Sequence, residues 1–316
     1  IYTTYFGYDE VAHHYGLLSK PALRALRAID ARIRRIDGFR RLALTREYDL
    51  YVLSDHGMTT SEPFRLAYGQ TLGEALRDLA GRSVALSESL GASRQEVFSA
   101  VYLQDELEAI AANVRPPLTA IPQRLRAFAA KRVAWREDDP PPDLSRRLDL
   151  VVRDSGPMSH VYFNLREEQL DLGQIIANYP LLITGLLAHA GIWCVVGREG
   201  EQTVILGREG VLSLDGDTYS VEGVDPLSSL PDPRWAAEQL RRVTHYANSG
   251  DLILMGRYDP QTETVACFEE QWACHGGLGG PQQQALLLSE ARLGWDVTTV
   301  RRADDLYPLF MRRYAA

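Results

Sequence analysis

Two short motifs near the start of the chain join a carboxylate to an imidazole: Asp9-Glu10-Val11-Ala12-His13 and Ser54-Asp55-His56-Gly57. Each follows an apolar run with strand character, Tyr2–Tyr8 and Leu50–Leu53. A hard carboxylate oxygen beside a borderline imidazole nitrogen suits zinc, manganese or iron better than calcium or magnesium alone. Asp9 and His13 stand at i and i+4, which on a helical turn aims both side chains at one point. Asp55 and His56 are adjacent, so they diverge on a strand and converge on the turn that follows one. Two such pairs at two strand ends predict a two-metal site along the C-terminal edge of a parallel sheet.

A metal held by Asp9 and His13 alone lacks a third protein ligand. His14, His160, His189, His245 and His275 are the candidates. On a helix His14 points about 100° away from His13. His160 precedes an alternating strand, where a packed or hydrogen-bonded imidazole is the plain reading. His189 and His245 stand near helix ends, where a histidine can meet terminal carbonyls. His275 opens the run His275-Gly276-Gly277-Leu278-Gly279-Gly280-Pro281-Gln282. Its glycines allow a tight turn and a close backbone approach to a bound group, which favours His275. Cys194, Cys267 and Cys274 show no C-x-x-C spacing and read as isolated reduced or buried thiols.

These groups must be positioned by a framework. Tyr2–Tyr8 reads as a strand, followed by a helix capped at Ser19, with Pro21 in its first turn and an end at Gly38. Tyr48–Leu53 reads as a buried strand, so the order is βαβ and a parallel pair is expected. Leu72–Leu79 is helical in pattern. Residues 85–147 change character: a pattern for a helix over Glu96–Asn113, a break at Arg115-Pro116-Pro117, a basic helix over Ile121–Val133 and a Pro-rich linker. They are expected to be a helical insertion into a core formed by residues 1–84 and 148–316. Strands follow at Leu148–Arg153, Val161–Leu165, Ile192–Val196 and Asp251–Met255, with helices near Leu172–Asn178, Leu181–Ala190 and Trp235–Tyr246. Glycines from Gly197 to Gly216 punctuate a small β meander over Thr203–Val221.

At 316 residues, 45% of them hydrophobic and 24% charged, the chain can bury a large core. A net charge of −8 argues against wrapping a nucleic-acid duplex, whereas metals can supply local positive charge to a small nucleotide or phosphodiester. The N-terminus has no basic segment of a signal peptide. The longest apolar run, Tyr179–Val196, is broken by Pro180, Gly185 and Gly191 and reads as a helix turning into a strand, not a membrane span. Localisation is left open.

Taken together, Tyr8–His14, Ser54–Gly57 and His275–Gln282, with the approach Phe268-Glu269-Glu270, make the chain resemble the type I phosphodiesterase/nucleotide pyrophosphatase branch of the alkaline phosphatase superfamily. The resemblance implies an α/β fold, a three-layer α/β/α core with a mainly parallel sheet, carrying the helical insertion and the small meander. It implies Asp9, His13 and His275 as ligands of one metal and Asp55 and His56 as ligands of a second. The implied cofactors are two divalent ions, zinc foremost with manganese or iron as alternatives. The implied activity is hydrolysis of phosphodiester or pyrophosphate bonds in a small nucleotide-like substrate.

In that family the second metal also takes an upstream aspartate, and a threonine or serine nucleophile heads a helix. Eight residues precede Asp9, and Thr3 and Thr4 fall inside the first expected strand, while Thr59 and Thr60 follow the second motif. The nucleophile is therefore expected to be absent, and the sequence to be the C-terminal part of a longer protein with weak or no activity by itself. The alternative is a non-catalytic metal-binding remnant or partner-binding domain of the same fold.

Overall fold

The computed structural model describes residues 1–42, 46–81, 83–89 and 148–315. Residues 90–147, most of the expected helical insertion, lie outside the described residues. The chain divides into two compact units: residues 1–62, 258–266 and 271–316 form the first, and residues 63–257 and 267–270 the second.

The first unit starts differently from the expectation. Residues 1–6 have no regular structure, and α1 spans Gly7–Tyr15. Ile1 and Tyr2 are exposed. A strand needs a neighbour for its backbone donors and acceptors, and none is present for this stretch among the described residues. Ser19 caps α2 (Lys20–Arg41) by accepting from the Ala22 N–H, with Pro21 in the first turn. The helix runs through Gly38 instead of ending there. Arg40 outweighs that glycine by bonding Asp37, Glu290 at 2.8 Å and the Tyr48 carbonyl. Ala12, Ala22 and Ala273 form a small buried core with Tyr8, Val11, Leu17 and Met58 packed on it.

The second expected strand shortens to β1 (Tyr51–Leu53), which pairs antiparallel with β14 (Leu287–Ser289). The predicted parallel βαβ unit is thus absent from the described residues. A four-stranded sheet runs in the order β11 (Tyr258–Asp259), β12 (Thr264–Cys267), β2 (Thr59–Pro63) and β13 (Ala273–Cys274). The last helix, α8 (Leu306–Tyr314), brings Phe310 and Tyr314 against Tyr51, edge-on.

The second unit holds the eight-stranded sheet. Its order is β3 (Leu86–Ser89), β4 (Leu150–Ser155), β5 (Met158–Phe163), β10 (Leu252–Gly256), β6 (Ile192–Glu199), β7 (Gln202–Leu206), β8 (Gly210–Asp215) and β9 (Thr218–Gly223). Only the β3–β4 ladder is parallel; the other ladders of this sheet are antiparallel. The sheet is mixed, which corrects the mainly parallel expectation. Turns of two residues around Gly156, Gly200 and Gly216, each at positive φ, can close only antiparallel hairpins, because a parallel pair needs a crossover of a dozen residues. The predicted meander is the outer part of this same sheet.

Helices cover both faces. A Cβ on Gly197 would strike Leu172 of α5 (Leu172–Asn178). On the other face Thr203, the register partner of Arg198, lies 3.2 Å from Thr244 of α7 (Pro233–Thr244). Sandwiched in this way, β6 is buried over Cys194–Gly197. Short helices α3 (Phe64–Tyr68), α4 (Leu72–Ala80) and α6 (Leu182–Ala188) complete the described helices. The three cysteines are buried, and among the described residues none forms a disulfide. Among the described residues no helix is long and apolar enough to cross a membrane.

Candidate metal centre

The helix α1 does for Asp9 and His13 what their spacing predicts. His13 Nε2 lies 3.4 Å from Asp9 Oδ2. His13 is buried, and its Nδ1 stands 2.7 Å from the Ala273 carbonyl. A carbonyl only accepts, so Nδ1 carries a proton, and Nε2 faces Asp9, donating to it while the ring is protonated and offering a lone pair once that proton leaves. The link is reinforced where the Trp272 N–H donates to the His13 carbonyl at 2.8 Å.

The strand β13 then delivers His275. Its Nε2 lies 3.8 Å from Asp9 Oδ1, and its ring centroid is 5.1 Å from that of His13. His56 stacks on His275 with centroids 3.6 Å apart and planes 18° from parallel. His56 Nδ1 is 2.9 Å from the Gly57 carbonyl, which again assigns the proton to Nδ1 and leaves Nε2 as a donor to a metal. Asp9, His56 and His275 each offer a ligand atom, and those atoms lie within 4.8 Å of one another. Asp55 stands at the rim: its side chain is 83% exposed, with Oδ1 3.6 Å from His56 Nε2. The tightest set therefore crosses the two ligand sets implied by the resemblance, because His56 joins Asp9 and His275 while His13 adjoins them through Asp9.

The donor set fits a transition-type ion. One carboxylate oxygen and imidazole nitrogens, with the second nitrogens of His13 and His56 already tied to carbonyls, suit zinc, manganese or iron. The electrostatics agree. Burial, helped by the charges of His56 and His13 and opposed by Asp9 and Asp55, pushes the His275 imidazolium down to about 4, so this ring is neutral at pH 7. Burial would raise the Asp9 carboxyl, but the hydrogen bond from His13 and the charges of His13, His275 and His56 outweigh it and hold Asp9 below its usual range. Burial likewise works to lower His13, and is outweighed by the bond and charge of Asp9 and by the Ala273 carbonyl, so His13 titrates above its usual value. A cation held by His13 Nε2 would take the place of that proton.

In comparison with known families, the type I phosphodiesterase / nucleotide pyrophosphatase model matches residues 1–157. Over those residues, just under half of the chain, the sequence is similar to that family. No curated protein and no solved structure matches the chain. The family region contains Asp9, His13, Asp55 and His56; His275 lies beyond it and joins them only through the fold.

The remaining candidates have other roles in the structure. His160 Nδ1 accepts from the Gly250 N–H at 2.9 Å. His189 stacks on Phe64 and accepts from the Gly191 N–H. His245 Nδ1 meets the Arg241 carbonyl at the end of α7, at 2.8 Å, and His14 is exposed on α1. Among the threonines raised from sequence, Thr59 is buried and donates to the Glu263 carbonyl at 3.0 Å. Thr60 is exposed on the other face of β2, and Thr3 and Thr4 are exposed in the irregular stretch. Sequence reasoning missed the Ala273 and Gly57 carbonyls that orient two of the rings, since backbone acceptors carry no residue-type signal.

Proposed function

We propose that the chain is a metal-dependent hydrolase of phosphodiester or pyrophosphate bonds, with Asp9, His13, His56 and His275 holding divalent metal and Asp55 completing a second position. The observation that carries this reading is the approach of Asp9, His56 and His275 within 4.8 Å in a chain whose residues 1–157 match a phosphodiesterase family model. Two ions, zinc first, would supply Lewis acidity toward a phosphoryl oxygen. The chain's own groups prepare the site. Asp9 stays ionised and supplies the negative charge, His275 stays neutral with a free lone pair, and the carbonyls of Ala273 and Gly57 hold His13 and His56 with Nε2 available. Exposed Asp55 marks the side open to solvent, where a small phosphodiester or nucleotide-like substrate arrives.

One observation favours a second reading, metal binding without turnover. The buried Thr59 hydroxyl is committed to the Glu263 carbonyl, so it is not poised to attack phosphorus, and covalent catalysis needs such a hydroxyl. Hydrolysis by these residues is accordingly expected to be slow. The test is hydrolysis of a nitrophenyl phosphodiester with added zinc or manganese, for the chain and for His275→Ala. Metal-dependent hydrolysis lost in the variant supports the enzyme. Zinc uptake with no hydrolysis selects the second reading, and no zinc uptake removes both.

A further inference from the structure

The run that carries His275 ends in Gln282, a polar side chain buried to 1% exposure. Both amide hydrogens and one lone pair of the amide oxygen are in use within the loop. Gln282 Oε1 accepts from the Gly277 N–H at 2.9 Å, and Nε2 donates to the Leu278 carbonyl at 3.0 Å and the Gly279 carbonyl at 2.7 Å. This pattern admits one orientation of the amide, since a flip would set donor against donor and acceptor against acceptor. The Gln282 backbone makes a further link, its carbonyl accepting from the Gly57 N–H at 3.0 Å. Gly57 in turn supplies the carbonyl that orients His56. The two segments run so close that a Cβ on Gly57 would stand 1.9 Å from the Pro281 carbonyl oxygen, an approach that only glycine permits.

We infer that Gln282 is a positioning residue of the metal centre: its side chain shapes the loop after His275, its carbonyl fixes Gly57, and together these set the stacked His56–His275 pair facing Asp9. The inference rests on the metal-centre reading above, but part of its consequence is visible without metal. The buried amide makes three hydrogen bonds to backbone and touches no ligand atom itself, so it acts on the site through the two loops. An orienting group of this outer kind is typically worth roughly 10–100-fold in metal affinity.

The experiment uses the whole chain labelled with 15N-histidine. In the metal-free protein, Gln282→Met, which keeps the volume and removes the bonds, should shift the ring signals of His56 and His275 and dissolve the Nδ1–H tautomer signature of His56. The signals of His13, held by Ala273, and of His160, in the other unit, should stay in place. Zinc titration of the same variant should show affinity reduced roughly 10–100-fold. Phe310→Ala, which removes the ring packed on Tyr51, lowers stability without touching either loop and should leave zinc affinity unchanged. Gln282→Glu retains the acceptor for Gly277 but turns an oxygen toward two carbonyls, so it should fail to rescue; it also serves if the methionine variant does not fold. Unmoved His56 and His275 signals, equal movement of all the rings, or full zinc affinity in Gln282→Glu would overturn the role. If the unmutated chain takes up no zinc, the proposed activity falls, and the metal-free ring signals still decide the role of Gln282.

Discussion

Each unit holds a cluster of partly buried ionisable groups, and the two clusters settle their charge in opposite ways. In the first unit Asp9 meets His13 and His275, opposite in charge when protonated, and the far nitrogens of His13 and His56 have backbone partners. In the second unit Asp154 faces Glu88 and Glu269, which share its sign. Glu88 is satisfied by the Thr71 hydroxyl at 2.6 Å and the Gly73 N–H at 2.7 Å, and Glu269 accepts from the Gly156 N–H at 2.8 Å. Both Asp154 oxygens are buried without a hydrogen-bond partner. Burial pushes Asp154 up to about 7; the adjacent Ser159 hydroxyl, outside bonding geometry, opposes the rise, while Glu88 and Glu269 add to it. Lone pairs of mixed type aimed at one point invite a cation. Like charges with one unpartnered member are relieved by a proton on that member.

The largest expected effect breaks the comparison at its root. His275→Ala removes one of the three groups within 4.8 Å and should cost zinc affinity more than the roughly 10–100-fold typical of losing an outer orienting group. Asp154→Asn, a loss of charge in the other cluster, should leave zinc affinity unchanged. Calorimetric zinc titration of both variants checks this. A fall in affinity for Asp154→Asn comparable to that of His275→Ala would show that the second cluster also takes metal, and the contrast would fail.

The next effect is on stability and its pH dependence. The folded value of Asp154 is about 7, above the roughly 3.9 of an unfolded aspartate, so the folded state holds the proton more tightly. Stability is undiminished below about pH 4, declines as the pH rises between the two values, and bears the whole penalty above about 7. Asp154→Asn removes that penalty. It should stabilise the chain by on the order of 2 to 4 kcal/mol at pH 8, and by little at pH 4, in urea titrations at the two pH values. Equal effects at both would mean that Asp154 is already ionised in the folded chain.

What could be read from the sequence follows the range over which each feature is decided. The Ser19–Pro21 start of α2 was legible because a cap is set within three residues. Its end was not, since the contact that carries the helix past Gly38 is Arg40 to Glu290, from the far end of the chain. Tyr2–Tyr8 has strand composition but lacks a strand neighbour, and pairing is not a property of the segment. The Asp9–His13 spacing and the glycines after His275 were local signals of chemistry, and the structure brings those groups together. That His56 stacks on His275 depends on the backbone approach of Gly57 to Pro281, which no spacing within one motif encodes. The mixed sheet was half legible: glycines at 200 and 216 marked the turns of the meander, but the strands before it carried no signal strong enough to displace the parallel expectation.

The smallest effect probes what the Thr71 hydroxyl does for the second cluster. Thr71 caps α4 by accepting from the Glu74 N–H, and its hydroxyl donates to Glu88. The second role, with the Gly73 N–H, sets the Glu88 side chain beside the N-terminal end of the helix. Thr71→Val removes the hydroxyl at nearly constant volume. The lost cap should cost about 1 kcal/mol of stability. The loss of a hydroxyl from this cluster should move the Asp154 titration midpoint by less than about one unit. Carboxyl-carbon NMR across pH 4–9 reads that midpoint. A stability loss with an unmoved midpoint would mean that Thr71 serves only the helix, and that burial alone raises Asp154; the second cluster would then owe nothing to its like charges.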